Sequence, residues 1–153
     1  MKKFTILRDT REQEGKGWYF RSSANCDGME CVKLDVGDYA IKGLEDKILI
    51  ERKTVGDLWG TLGNQTNYQR FLRELERATN HRLKFLIIEG NLSDIDRGYV
   101  WSKVKPANIH AKLISLQVKH NMHVIFAGRS DQARIYTRNL MDKLFRYSLD
   151  GVI

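Results

Sequence analysis

The feature that most narrows the fold of this chain is the shape of its apolar runs. Phe85-Leu86-Ile87-Ile88, among the longest, sits in a segment, Leu83 to Ile88, that reads as a buried strand. Before it, Tyr68, Phe71, Leu72, Leu75 and Ala78 recur at helical spacing in a helix that starts at about Thr66. After it, Pro106 fits the first turn of a helix bearing Ile109, Leu113, Leu116 and His120. Met122 to Phe126 reads as another strand. Ser130 caps a last helix, with Asp131 in its first turn and Ala133, Tyr136, Leu140, Leu144 and Tyr147 as its stripe. No run approaches the roughly 18 to 20 apolar residues that cross a bilayer, so no membrane partner is expected.

The N-terminal half continues the alternation. Phe4-Thr5-Ile6-Leu7 is a strand that runs into Asp9-Thr10-Arg11-Glu12. Residues 13–30 are rich in turn formers and read as irregular, with Trp18-Tyr19-Phe20 as an anchor onto the core. Val32 to Ile41 reads as a strand interrupted at Gly37-Asp38. Lys47 to Glu51 is its hairpin partner across the Gly43–Asp46 turn. Thr54 is placed to cap a short helix with Val55, Leu58, Trp59 and Leu62. Strands and helices in this order describe an α/β fold with a mixed sheet covered on both faces.

Length and charge set the partners. At 153 residues the chain is expected to be one domain, and 42% hydrophobic content is enough for a packed core. Two cysteines, Cys26 and Cys31, are too few for a disulfide scaffold, and Arg8, Asp9, Arg11 and Glu12 interrupt any leader-like apolar segment. An intracellular protein is expected, cytoplasmic in a prokaryotic or phage-infected cell and nuclear in a eukaryotic one. Residues 1–65 hold 11 basic and 11 acidic side chains, so the net charge of +7 resides wholly in residues 66–153. Such an excess fits a polyanionic partner, and it also fits plain solubility.

The chemistry concentrates in Gly37-Asp38 and Glu51-Arg52-Lys53. On a strand Glu51 and Lys53 share a face and Arg52 takes the other. If the hairpin pairs as expected, Asp38 comes beside Glu51 at the sheet edge. Two carboxylates without histidine or thiolate suit a hard divalent cation such as Mg²⁺. A lysine beside it can hold a water or neutralise a phosphoryl oxygen, which is the equipment for phosphodiester hydrolysis. Asp9 and Glu12, just past the first strand, are placed to complete an acidic pocket. The same residues fit an ordinary charged hairpin or a structural ion-pair network, and spacing alone does not separate these readings.

At these residues the chain resembles the nuclease domain of the XPF flap-endonuclease family, within the PD-(D/E)xK, restriction-endonuclease-like superfamily. The pattern Gly-Asp, gap, Glu-Arg-Lys, three residues, Asp is met by Gly37-Asp38, Glu51-Arg52-Lys53 and Asp57. An Asp-x-Arg-Glu element after the first strand is met by Asp9 to Glu12, and Phe85 to Gly90 resembles the next core strand. The resemblance implies a restriction-endonuclease-like three-layer α/β/α fold and a Mg²⁺-dependent DNA endonuclease, with Mn²⁺ as substitute. It implies branched or flapped DNA as substrate. By resemblance Asp38, Glu51 and Asp9 are metal ligands, with the Arg52 carbonyl a further one. Lys53 is the catalytic lysine, and Asp9 and Glu12 belong to the acidic site. Arg11, Arg52 and Asp57 hold the site or contact phosphate.

Arg70 and Arg73, near Gln69 in the helix after Asp57, are expected nucleic-acid contacts. No helix-hairpin-helix module is expected within residues 1–153. The helices over 106–121 and 130–147 are those that pair subunits in the family, as a homodimer or heterodimer, and Ile114 and Val118 suit such a contact. Two other readings stand beside the endonuclease. One is a non-catalytic DNA-binding partner subunit, although such subunits lose residues that are all present here. The other is a Holliday-junction resolvase or restriction-type nuclease. Tyr99 and Trp101 are expected to pack rather than stack on a base. His120 and His123 are too few ligands for zinc.

Overall fold

The computed structural model describes residues 1–12 and 15–153, so the first two positions of the stretch read as irregular, 13 and 14, lie outside the described residues. The chain order is β1 (Phe4–Asp9), β2 (Cys26–Val32), β3 (Tyr39–Ile41), β4 (Ile48–Thr54), α1 (Val55–Leu62), α2 (Gln65–Arg77), β5 (Leu83–Glu89), α3 (Leu92–Asp96), α4 (Pro106–His120), β6 (Met122–Phe126) and α5 (Ser130–Leu149). The strands form one six-stranded mixed sheet in the order β2-β1-β3-β4-β5-β6. Only β3 runs antiparallel to its neighbours, β1 and β4; the other pairs are parallel.

The three layers follow from alternation along the central strands. Ile48 and Ile50 of β4, with Phe85 and Ile87 of β5, face α5, where Ala133, Met141 and Leu144 meet them with Trp18 and Phe20. Leu49, Leu86 and Ile88 face the other way, onto Leu58, Trp59 and Leu62 of α1, Phe71 and Leu75 of α2, and Ile109, Leu113 and Leu116 of α4. Because β4 keeps this alternation through Lys53, its charged end is divided between the layers as expected: Glu51 and Lys53 toward α1 and α2, Arg52 toward α5. Among the described residues no helix is long and apolar enough to cross a membrane.

Several elements differ from the sequence reading. Cys26–Val32, inside the stretch read as irregular, is an edge strand parallel to β1. Its exposed Asp27, Glu30 and Cys31 and its Gly28 give it no apolar alternation to detect. Val32 to Ile41 is not one strand. The chain leaves the sheet after Val32 and returns only for Tyr39–Ile41, so the expected hairpin reduces to the Tyr39–Ile50 pair and its flanking bonds. Helix α2 begins at Gln65, where the sequence places it to within a residue, capped by Asn64, whose side chain accepts from the Asn67 N–H. The short α3 carries too little periodicity to be read. Helix α5 buries Ala133, Thr137, Met141 and Leu144, leaving Tyr136 and Tyr147 exposed. Thr137, fully buried, holds the stripe position that an apolar search assigns to its neighbour. Ser130 does not cap α5: Arg129 precedes it, and the Ser130 hydroxyl donates to Glu89. Thr54 caps α1 as expected, accepting from the Asp57 N–H at 3.1 Å.

Candidate active site

Asp38 enters the sheet through a backbone that only glycine fits well. Gly37 has φ +80°, and a Cβ there would stand 3.2 Å from Ile50 O and 3.3 Å from Leu49 Cγ. Beyond it, Asp38 N donates to Ile50 O at 2.9 Å while Asp38 O accepts from Asp9 N at 2.8 Å, so the residue is tied to both β4 and β1. Its side chain then takes the next ladder position, with Oδ2 accepting from Arg52 N at 2.8 Å. The residue is thus held by three main-chain bonds, two through its own backbone and one through its carboxylate. The sequence reading put this pair at the sheet edge; it lies instead at the end of central strand β4, since the edges are β2 and β6.

Glu51 is buried beside it, and the two carboxyl groups hydrogen-bond to each other. Burial pushes the Asp38 carboxyl above its ordinary value, although the Glu51 hydrogen bond acts against the rise. Burial raises Glu51 well above its usual range, and the Asp38 charge adds to the rise. Lys53 pulls both back down from the same face. Two carboxyls that resist joint ionisation, opposed by one lysine, form a site that a divalent cation would relieve. Among the described residues no group of three or more His, Cys, Asp or Glu side chains forms a ready-made metal cage. The Asp38–Glu51 pair supplies two carboxylates, the oxygen donors that suit a hard divalent cation whose shell is completed by waters and phosphate.

Lys53 opens onto a cleft of about 270 Å³ that it lines with Thr61, Asn67, Arg70, Phe71 and Glu74. Its Nζ lies 5.7 Å from the centre of the Phe71 ring. Arg70 is therefore brought to the site, whereas exposed Arg73 does not line the cleft. Glu74 is not among the site residues that the sequence singles out. Its Oε1 accepts from Gly37 N at 3.2 Å, and its charge helps raise Glu51. The available signal was its position three residues after Phe71, on the flank of the buried stripe of α2.

The expected acidic pocket is not one pocket. Asp9 is buried, and its two oxygens receive three donors: Leu34 N at 2.8 Å, Arg11 N at 3.0 Å and Arg11 Nε at 2.7 Å. Burial raises its pKa, but the Arg11 side-chain hydrogen bond and the two backbone donors more than offset that, leaving it below the ordinary value. Arg11 also donates to Leu34 O, which ties the end of β1 to the segment after β2. Glu12 turns to the α5 layer, where its oxygens accept from Arg52 Nε and Nη2 at 3.1 and 3.0 Å. Arg52 Nη1 reaches Glu89 at 3.2 Å, and Glu89 also accepts from Trp18 Nε1 and Ser130 Oγ. With its side chain 4% exposed, the Arg52 guanidinium offers no surface to a phosphate. Burial disfavours its charge, but Glu12 more than compensates and raises its pKa. Asp57 sits exposed in the first turn of α1, its N–H taken by Thr54.

The ERCC4 domain family matches residues 8–139, most of the chain. No curated protein sequence matches it. Among solved structures, XPF from Aeropyrum pernix in complex with DNA aligns over 97% of this chain with a TM-score of 0.65 and 20% identity. A further structure of XPF from Aeropyrum pernix aligns over 89% of the chain, with a TM-score of 0.64 and 20% identity. This chain spans 66% and 64% of those two chains. At this level of identity the similarity is one of fold.

Proposed function

We propose that this chain, which belongs to the ERCC4 domain family, is a divalent-metal-dependent DNA endonuclease whose centre is Asp38, Glu51 and Lys53. The observation that supports this reading is the contact of two carboxyls at the end of a central strand, on one face with a lysine. A purely structural pair of that kind is costly, because burial and repulsion both oppose it.

Asp38 and Glu51 are the residues that would hold Mg²⁺ or Mn²⁺, with the Arg52 carbonyl a further ligand. When bound, the ion would supply Lewis acidity to a phosphoryl oxygen and lower the pKa of a water. Lys53 orients the attacking water or neutralises charge that grows on the phosphoryl group. Arg70 grips an adjoining phosphate across the cleft. Glu74 holds Gly37 and so sets Asp38. Asp9 enters as the group that fixes Arg11 and Leu34, with its oxygens already filled. Arg52 and Glu12 brace the strand end from the opposite layer. The resemblance implies branched or flapped DNA and products with 5′-phosphate and 3′-hydroxyl ends.

The proposed pairing, as a homodimer or heterodimer, runs through helices α4 and α5, which expose Ile114, Val118, Ile135 and Tyr136 beside the edge strand β6. Sedimentation analysis checks this: a dimer supports it, a monomer at micromolar concentration contradicts it, and a mass completed only by a different chain makes it a heterodimer.

The function itself is tested by cleavage of linear, flapped, forked and four-way DNA with Mg²⁺ and with excess chelator. Metal-dependent cleavage favouring a branched substrate is expected. Undiminished cleavage in chelator removes the metal assignment, and no cleavage of any substrate returns the chain to a binding module.

A further inference from the structure

A β-turn between α3 and α4 has an unusual composition. Ser102 N donates to Tyr99 O at 2.9 Å, closing a turn whose central residues are Val100 and Trp101. Such positions ordinarily go to Gly, Pro, Asn, Asp or Ser. Here they hold two apolar side chains, exposed at 86% and 82%. The sequence reading expected packing for Tyr99 and Trp101, and only Tyr99 packs. The chain's other tryptophans, Trp18 and Trp59, are each 2% exposed.

The turn is anchored to the catalytic end of the fold. The Tyr99 ring stacks on Trp59 of α1 with centroids 6.2 Å apart, and its Oη lies 3.1 Å from where a Cβ on Gly56 would stand. Gly56 is in the first turn of α1, directly after the strand end bearing Lys53. Trp101 follows Tyr99 by two residues, which places their Cα atoms within about 7 Å of each other. The segment 97–105 contains Arg97, Lys103 and Lys105 and no carboxylate. Arg97 pairs with Asp94 at 2.8 Å, while Lys103 and Lys105 are exposed on the approach to α4. An exposed indole flanked in sequence by cations, on a turn tied to the helix that follows Lys53, matches the two demands of an unpaired nucleotide: a face to stack on and charge for its phosphates.

We propose that Trp101 is a stacking platform for an unpaired nucleobase next to the cleaved bond, and that the Val100–Trp101 turn selects DNA with a base splayed from the duplex. This rests on the nuclease reading of Asp38, Glu51 and Lys53. A paired base keeps both faces in the helical stack and has none to offer. The selection therefore favours tails, flaps and junctions over continuous duplex, whatever their sequence.

Because Trp101 is the one exposed tryptophan, its emission reports the contact. The full chain is titrated in Ca²⁺ with an oligothymidylate strand, a duplex bearing a single-stranded tail, and a blunt duplex. Saturable quenching is expected with the first two and little with the third. Trp101→Ala should weaken binding to the tailed duplex by about 5- to 150-fold and leave blunt-duplex binding unchanged. Trp101→Phe should restore most of the loss. Equal quenching by blunt duplex, or wild-type affinity of Trp101→Ala for tailed DNA, overturns the proposal. So does a variant whose sedimentation mass changes while its DNA affinity does not, since the turn would then be a subunit contact. Cleavage by the wild type in Mg²⁺ is scored in parallel. Quenching without any cleavage would remove the nuclease reading and leave the platform standing, while cleavage without selective quenching would do the reverse.

Discussion

The backbone N–H of Arg52 donates to Asp38 Oδ2 at 2.8 Å, so the residue between Glu51 and Lys53 fixes the third member of the site through its main chain. Its side chain meanwhile points into the opposite layer. One residue thus joins the two charged clusters at the end of β4, and the clusters can be separated by mutation.

Arg52→Met removes the guanidinium and leaves Glu12 and Glu89 buried without their cation. Breaking a buried pair in this way costs about 3 to 5 kcal/mol. Urea unfolding should show that loss, while the Arg52 N–H to Asp38 bond survives in the folded fraction. A midpoint equal to wild type would mean that the Glu12–Arg52–Glu89 network adds no stability.

The raised Asp38 and Glu51 values set a pH dependence with a definite sign. A carboxyl whose folded pKa exceeds its unfolded one stabilises the fold below the unfolded pKa, and that stability is lost as pH rises through the folded value. Metal-free protein should therefore lose thermal stability as pH climbs above the ordinary carboxylate range. Mg²⁺ should restore it at high pH, and Glu51→Gln should flatten the dependence. Melting curves in chelator that do not separate Glu51→Gln from wild type at any pH would contradict the paired-carboxyl account.

Glu74 acts on the site through Gly37, and two variants divide its roles. Glu74→Gln keeps an acceptor for the Gly37 N–H and should retain most cleavage. Glu74→Ala loses it, and a fall of about 10- to 100-fold with a higher Mg²⁺ requirement is expected, as for other groups that orient metal ligands. Equal loss in both variants would show that the charge of Glu74, not its tether, is what matters.

Arg70 shares the Lys53 cleft and Arg73 does not. DNA affinity should fall steeply with salt, and Arg70→Ala should lower the slope of log affinity against log salt by about 1. Arg73→Ala should change it less. The reverse order, read by fluorescence anisotropy across a salt series, would place the DNA on a different face of α2.

What the sequence disclosed was what short-range spacing encodes. The two faces of Glu51-Arg52-Lys53, the Thr54 cap and the Pro106 helix each depend on residues a few positions apart. So does the placing of Asp38 after a glycine. What it hid depends on long-range packing. β2 is an edge strand whose polar residues show no alternation, and it becomes a strand only by lying parallel to β1. Glu12 and Arg52 are 40 positions apart, so nothing local told which layer Glu12 would join. Glu74 and Gly37 meet across 37 positions. That Tyr99 packs while Trp101 stays exposed depends likewise on a distant contact, the stacking of Tyr99 on Trp59.

The central claim is that Lys53, on the face of Glu51, acts on charge that grows during phosphodiester cleavage. The measurement that bears on it most directly is the single-turnover cleavage rate of Lys53→Ala in Mg²⁺, with DNA affinity in Ca²⁺ and circular dichroism recorded on the same preparation. The account predicts a rate lower by about 10² to 10³, with affinity and fold nearly unchanged, because such a group stabilises the transition state more than the bound substrate. Cleavage at the wild-type rate by a preparation free of contaminating nuclease would contradict it.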